Sequence, residues 1–194
     1  MKVSKTQARE NRARIVETAS ALFRERGYDG LSVADLMAAA GFTHGGFYKH
    51  FGSKADLMAE AATCGFSQST ENVTEFDAVA FVKEYVSRKH RDAPGAGCTL
   101  AALCGDAARQ PESIKETFAA GIESQLTALG LTDGDVGEIG KREARAVRID
   151  TLAHAVGAIM LSRACPDDSP LADEILEVCR TRLLCDYDQK GEAG

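Results

Sequence analysis

Apolar residues recur at Ile15, Ala19, Leu22 and Phe23 between Lys5 and Arg26, offsets of four, seven and eight that mark one face of a helix. Arg9, Arg12, Arg14 and the glutamates take the other faces, and Gly27-Tyr28-Asp29-Gly30 ends the segment with turn chemistry. The stretch from Leu31 to Leu57 then predicts three short helices in close succession. Ser32 precedes Val33–Met37, Thr43 precedes His44–Phe51, and Ser53 precedes Lys54–Leu57. Each hydroxyl stands where it can accept a hydrogen bond from a first-turn N–H. Gly41 falls between the first two segments, where a helix commonly closes on a left-handed residue. Leu22, Phe23, Val33, Leu36, Met37, Phe47, Phe51 and Leu57 are the candidate core of this three-helix unit.

Helical periodicity continues to the end of the chain. A fourth helix runs from Ala55 to about Glu71 through Met58, Ala61, Ala62 and Phe66. Glu75–His90 reads as one further amphipathic segment, broken by Arg91–Gly97. Cys98–Arg109 follows, then Gln110-Pro111, then a helix over about Glu112–Leu129 bearing Ile114, Phe118, Ile122 and Leu126. Leu131–Glu138 superficially resembles a calcium loop, but it lacks the Gly at its sixth position and the Glu at its twelfth, so it predicts only a flexible connection. Two long helices, Arg142–Ala164 and Asp168 to about Asp186, close the pattern, and Gln189–Gly194 reads as a disordered tail. The fold class is all-α: a three-helix reading head over residues 1–54, and a larger helical body over 55–188.

Charge sharpens that division. The 194 residues carry a net charge of −6, which alone says little. Residues 1–54 hold nine Lys/Arg against five acids, +4, whereas the remainder holds 14 against 24, −10. A basic head on an acidic body suits a small unit that meets phosphate and a larger one that does not. Two short helices joined by a Gly-bearing turn form a helix-turn-helix, whose second helix lies in the DNA major groove. The six cysteines form no C-x-x-C pair and no zinc-type cluster, so no metal or cofactor is implied. The N-terminus has no apolar signal region and no run of ~18 apolar residues suggests a membrane span, so a cytoplasmic protein is expected. Motifs of nucleophilic, metallo- and nucleotide-dependent enzymes are lacking, and no enzymatic role is expected.

Gly27-Tyr28, Val33-Ala34-Asp35-Leu36, Ala40-Gly41-Phe42-Thr43 and, above all, Phe47-Tyr48-Lys49-His50-Phe51-Gly52-Ser53-Lys54 resemble the signature of the TetR family of bacterial transcriptional regulators. The likeness covers about the first third of the chain. It implies that Tyr48, His50 and Lys54 contact DNA phosphates, with Lys49 adding charge and Ser32 presenting a hydroxyl. Base reading then falls to Thr43, His44, Gly45 and Gly46. Gly46 departs from the Ser or Thr more usual there, which moves specificity towards His44, water and DNA shape. Lys5 and the arginines of the first helix are read as a general electrostatic fringe.

The same likeness places an effector cavity in the middle region, where Phe66, Phe81, Tyr85, Cys98, Leu103, Phe118 and Ile122 are the candidate lining. The last two helices carry more apolar surface than one buried face needs, which suggests a partner surface. Leu152, Val156, Ile159, Met160, Ile175, Cys179 and Leu183 are its candidates, and the resemblance makes the partner a second copy of the chain. A twofold homodimer would set two heads about one DNA turn (~34 Å) apart on a palindromic operator. Cys98 opens a helix after Pro94–Gly97, a setting that can activate a thiol towards electrophiles. The leading reading is therefore a DNA-binding repressor released by a small-molecule effector. Its alternative is a ligand-blind DNA-binding or protein-interaction module, distinguished by having no cavity near the ~300 Å³ lower end of ligand pockets.

Overall fold

Helix α1 (Lys5–Arg26) begins where the Ser4 hydroxyl accepts the Gln7 N–H at 3.1 Å and ends at Gly27, whose φ of +73° turns the chain away. The computed structural model describes residues 4–74, 78–130 and 138–191, and among these every regular element is helical. Helix α2 (Val33–Ala39) starts with a reciprocal box: the Ser32 hydroxyl accepts the Asp35 N–H while the Asp35 carboxylate accepts the Ser32 N–H. It closes on Gly41 at φ +81°, with Gly41 N–H donating to Ala38 and Phe42 N–H to Met37, the paired bonds of a Schellman end.

The third segment differs from expectation. His44–Lys49 is a 3₁₀ turn and not an α-helix, and the Thr43 side chain makes no capping hydrogen bond. Two consecutive glycines, each costing about 1 kcal/mol in a helix interior, explain why the tighter and shorter form wins here. Helix α3 (Lys54–Thr74) follows, with Ser53 and Asp56 repeating the capping arrangement of α2.

The stretch expected as one helix over Glu75–His90 is two. Residues 75–77 lie outside the described residues. Helix α4 (Ala78–Tyr85) stops before Ser87, which is extended (φ −134°, ψ 155°) and caps α5 (Arg88–Asp92) through the His90 N–H at 3.2 Å. A hydroxyl that can bond the backbone locally competes with the helix ladder, and at Ser87 it restarts the helix in a new direction. A single turn at Pro94–Ala96 leads to α6 (Thr99–Ala107), then α7 (Glu112–Ala128), α8 (Glu138–Arg163) and α9 (Pro170–Gly191). The connection at 131–137 lies outside the described residues. Helix α9 reaches three residues into the stretch expected to be disordered. Extending an existing helix avoids the nucleation cost, and Gln189 and Lys190 are good helix formers. Residues 192–194 lie outside the described residues.

One continuous apolar core joins head and body. Phe23, Leu36, Met37, Phe47, Phe51 and Leu57 are buried as expected, Leu22 and Val33 pack partly buried against them, and Ile15 and Tyr28 complete the head. Fully burying such side chains contributes about 1.5–3 kcal/mol each. Helix α3 packs along both α1 and α7, and α8 pairs with α9. Small residues make those approaches close: the Ser20 hydroxyl of α1 reaches the Ala61 carbonyl of α3 at 2.8 Å, and Phe66 lies over Gly121 of α7.

A candidate nucleic-acid interface and the cavity behind it

The head presents His44–Lys49 outward. Phe47 is buried and stacks on Phe51 at 5.4 Å between ring centres, which anchors the turn from within. The next side chain consequently points out: Tyr48 is 69 % exposed, with its ring edge-on to Phe47 at 5.2 Å and to His44 at 6.3 Å. Thr43, His44, Gly45 and Lys49 are exposed beside it, and Gly46 is half-buried. A Cβ at Gly46 would meet only Met37 and Thr43, at 3.6 and 3.7 Å, so the space for a larger residue exists and it is left unused.

Asp35 and Asp56 sit on the first turns of α2 and α3, each accepting two backbone or hydroxyl donors there. These carboxylates complement the positive helix ends and stand where a phosphate would otherwise approach. Ser32 is exposed but spends its hydroxyl on Asp35 at 2.6 Å. The third N-terminus, at Thr43, has no side-chain hydrogen bond closing it.

His50 and Lys54 face inward more than expected. The His50 ring lies between Phe42 and Phe51, and burial, then Arg12, then Lys49 hold its pKa below the usual value. The Lys54 ammonium donates to the Tyr28 carbonyl at 2.5 Å, which commits one of its three donors inside the head. The arginines expected as a fringe also have structural partners. Arg12 lies 4.3 Å from the centre of the Phe51 ring, donates to the His50 carbonyl and pairs with Glu60. Arg14 caps the end of α2 by donating to the Ala40 carbonyl at 2.7 and 3.0 Å.

Arg24 is buried on the α1 face read as polar. It donates to the Gly95 carbonyl at 2.7 and 2.9 Å and to the Ser20 hydroxyl at 2.9 Å. Burial lowers its pKa, but a guanidinium holds its charge, so these bonds keep a cation between α1 and the Pro94–Ala96 turn. A second link lies four residues on, where the Asp106 carboxylate of α6 accepts the Tyr28 N–H at 2.9 Å.

Gly95 adjoins the wall of a cavity of about 390 Å³ in the body, whose lining includes its neighbour Ala96. Phe81 and Tyr85 of α4, Gly97 and Cys98 before α6, Gln125 of α7 and Leu152 of α8 line it. Three of the candidate lining residues, Phe81, Tyr85 and Cys98, meet there. Phe66, Leu103, Phe118 and Ile122 are not in the lining. Phe66 and Phe118 instead pack edge to face at 5.2 Å, and Leu103 is buried in the core. His90 and Gln125 were missed. His90 enters only because the chain reverses at Ser87. Gln125 had a readable signal, a polar residue on the α7 face shared by Ile114, Phe118 and Gly121.

The polar groups of the cavity are interlocked. His90 Nδ1 lies 2.8 Å from the Tyr85 carbonyl, and Nε2 accepts the Cys98 N–H at 3.0 Å. A carbonyl can only accept and an amide N–H can only donate, so the imidazole is the neutral Nδ1–H tautomer. Burial lowers its pKa in the same sense. Arg163 of α8 donates to the carbonyls of His90 and Arg91 at 2.7 and 2.8 Å, capping α5 from outside the cavity.

The candidate partner residues of α8 and α9 divide. Leu152, Ile159 and Leu183 are buried within the protomer, with Leu152 in the cavity wall, while Val156, Ile175 and Cys179 are half-buried. Met160 is exposed, together with Ile149, Leu161, Leu171 and Val178. A helix apolar around most of its circumference gives no periodic sign of which stripe turns inward, so the exposed residues coincide with the expected ones only at Met160.

A sequence model described as "Bacterial regulatory proteins, tetR family" matches residues 15–61. The HTH-type transcriptional regulator TtgR of Pseudomonas putida is 42% identical over 55 residues, 28% of this chain and 26% of that protein. The HTH-type transcriptional repressor DhaR of a Mycobacterium species is 35% identical over 95 residues, 46% of this chain and 48% of the relative. These alignments thus span from a quarter to about half of the curated relatives. The crystal structure of a TetR transcriptional regulator from Chloroflexus aurantiacus superimposes with a TM-score of 0.73 at 25% identity, covering 95% of this chain and 97% of that one.

Proposed function

From the premise that this chain belongs to the TetR family of DNA-binding transcriptional regulators, we propose that it is a cytoplasmic repressor released from a palindromic operator by a small molecule. The observation that carries this reading is the hydrogen-bonded connection between cavity wall and head. Gly95 is held by Arg24 of α1, and α6, which starts at the cavity-lining Cys98, holds the Tyr28 N–H through Asp106. An occupant that favours a shifted wall favours a shifted head, and the fall in DNA affinity equals its differential affinity for the two states. The exposed stripe of Ile149, Met160, Leu161, Leu171 and Val178 supports a homodimer formed through α8 and α9. Thr43, His44, Gly45, Gly46, Tyr48 and Lys49 meet the duplex in this reading, with Ser32, His50 and Lys54 beside them.

A cavity of about 390 Å³ favours this reading over a ligand-blind module. The test is to select a duplex from a random pool with the purified protein and follow its release by fluorescence anisotropy against a small-molecule library. Failure to enrich any duplex would remove the DNA-binding reading; enrichment without release by any cavity-sized compound would remove the effector. A second, covalent reading is favoured by the place of Cys98 in the cavity wall. A maleimide admitted there would form an S–C bond, with the thiol proton ending on the adjacent carbon. Equal sensitivity of wild type and Cys98→Ser to N-ethylmaleimide in the release assay would exclude it.

A further inference from the structure

Two polar groups in the cavity wall lack the strong partners that buried groups normally have. The Tyr85 hydroxyl is buried and has no hydrogen-bonded nitrogen or oxygen among the described residues; its polar neighbour is the Cys98 thiol, a weak donor. Gln125 is 3 % exposed, and among the described residues its side-chain amide meets only that same sulfur, at 3.6 Å from Nε2 and 3.9 Å from Oε1. Burying a phenol and an amide without full partners is costly, and such groups are normally met by ordered water or by a ligand. Both groups can donate, and both adjoin one point in the wall, the Cys98 sulfur.

The remaining surroundings limit the charge of such a ligand. His90 is fixed as the neutral tautomer by its two backbone bonds. Lys89 and Glu84 pair at 2.5 Å with both side chains largely exposed, so their charges cancel at the rim. Arg163 is outside the lining and its donors are spent on the carbonyls of His90, Arg91 and Ala101, so its charge reaches Tyr85 and Cys98 only through space. An ionised ligand group would be desolvated with no cation in position to hydrogen-bond it, whereas a neutral acceptor matches the two donors present. Much of the remaining lining is apolar or aromatic: Phe81 and Tyr85 lie 5.1 Å apart between ring centres beside Leu129 and Leu152, and the Ser69 hydroxyl on the α3 side already donates to the Gly65 carbonyl at 2.9 Å.

We propose that the cavity takes an uncharged aromatic molecule bearing a carbonyl group, whose oxygen accepts hydrogen bonds from the Tyr85 hydroxyl and the Gln125 amide. This rests on the effector reading above but specifies its chemistry. No covalent step is required, and Cys98 serves as a polarisable part of the wall.

Three probes of similar shape test it by calorimetry on the full chain: 2-acetylnaphthalene, 2-ethylnaphthalene and 2-naphthoate. The ketone is expected to bind about tenfold more tightly than the hydrocarbon, and the carboxylate more weakly than either. Tyr85→Phe should bring the affinity of the ketone close to that of the hydrocarbon, with a thermal melt showing that the variant is folded. Gln125→Met should act in the same direction. Equal affinity for ketone and hydrocarbon, no binding of the ketone, preference for the carboxylate, or an unchanged ratio in Tyr85→Phe would each overturn the proposal. The anisotropy assay keeps the two readings apart: the expected order of binding without DNA release leaves the ligand class standing and removes the regulatory role. DNA release by other compounds with the wrong order does the reverse.

Discussion

Lys54 and Tyr48 adjoin the same expected DNA surface, but the head uses them differently, and substituting each separates anchoring from contact. Tyr28 is fully buried, packs edge to face on Phe23 at 5.0 Å, and has both backbone groups held by charged side chains. Its N–H goes to Asp106 at 2.9 Å and its carbonyl to Lys54 at 2.5 Å. A hydrogen bond to a charged donor contributes about 1.5–3 kcal/mol when buried; Lys54 is only half-buried, so solvent reduces this to about 1–2 kcal/mol. Lys54→Met keeps the aliphatic stem and removes the donor. For a chain of this size about 1–2 kcal/mol corresponds to a fall in Tm of about 2–8 °C. Tyr48→Phe removes a hydroxyl from a ring that is 69 % exposed, and its stability should stay within about 0.5 kcal/mol of wild type. Urea and thermal melts give the first comparison; DNA affinity against salt gives the second. Removing a cation that neutralises one phosphate lowers the salt slope by about 0.9, so if Lys54 also meets phosphate, Lys54→Met reduces slope as well as stability. Unchanged stability in Lys54→Met would refute the anchoring role, and a loss of stability in Tyr48→Phe would refute the assignment of that ring to the surface.

Two other expectations rest on packing and on protonation. In Gly121→Ala the new methyl overlaps the Phe66 ring, costing about 1–3 kcal/mol against a helix-propensity gain of up to about 1, so net destabilisation is expected. Gly105→Ala on α6 meets nothing within 4 Å and should stabilise by about 0.5–1 kcal/mol; urea melts that reverse this order would contradict the packing described. His90 and His50 both have pKa values lowered in the fold, chiefly by burial, so the unfolded chain binds protons the native state refuses. Stability should hold above the unfolded pKa of about 6.5 and fall as pH drops below it towards the folded values, and His90→Gln should flatten this slope in melts between about pH 5 and 7.5.

What could be read from the chain follows how local each signal is. The ends of α1, the cap at Ser32 and the left-handed Gly41 are set by residues within four positions of one another, and all were legible. The Thr43 cap failed because two glycines beyond it weaken the helix it would have started. Arg24 looked like one more exposed cation, since its carbonyl partner at Gly95 is 71 residues away. The cavity is less legible for the same reason: its wall is assembled from α4, the turn before α6, α7 and α8, and periodicity identifies apolar residues without saying which surround a space. Phe66 and Phe118 are large, aromatic and buried, as a lining residue is expected to be, yet they face each other.

If the cavity takes an effector as proposed, the two links between cavity and head would decide how a modest ligand is felt at DNA. They reach α1 and its end at Arg24 and Tyr28, on either side of Gly27, the left-handed residue at which the helix stops. A Cβ at Gly27 would lie 2.7 Å from the Asp106 carboxylate, so this turn and α6 are in close contact. From the Cys98 cap to Asp106 is about 12 Å of rigid helix at ~1.5 Å per residue, short enough to move as a unit. Allosteric coupling typically amounts to about 1–3 kcal/mol, comparable to one charge-assisted bond and smaller than the two links together. Neither link therefore has to break for the head to respond. In that reading the bonds would carry the displacement, and the packing of α6 and the Pro94–Ala96 turn against α1 would have to be nearly balanced between two positions.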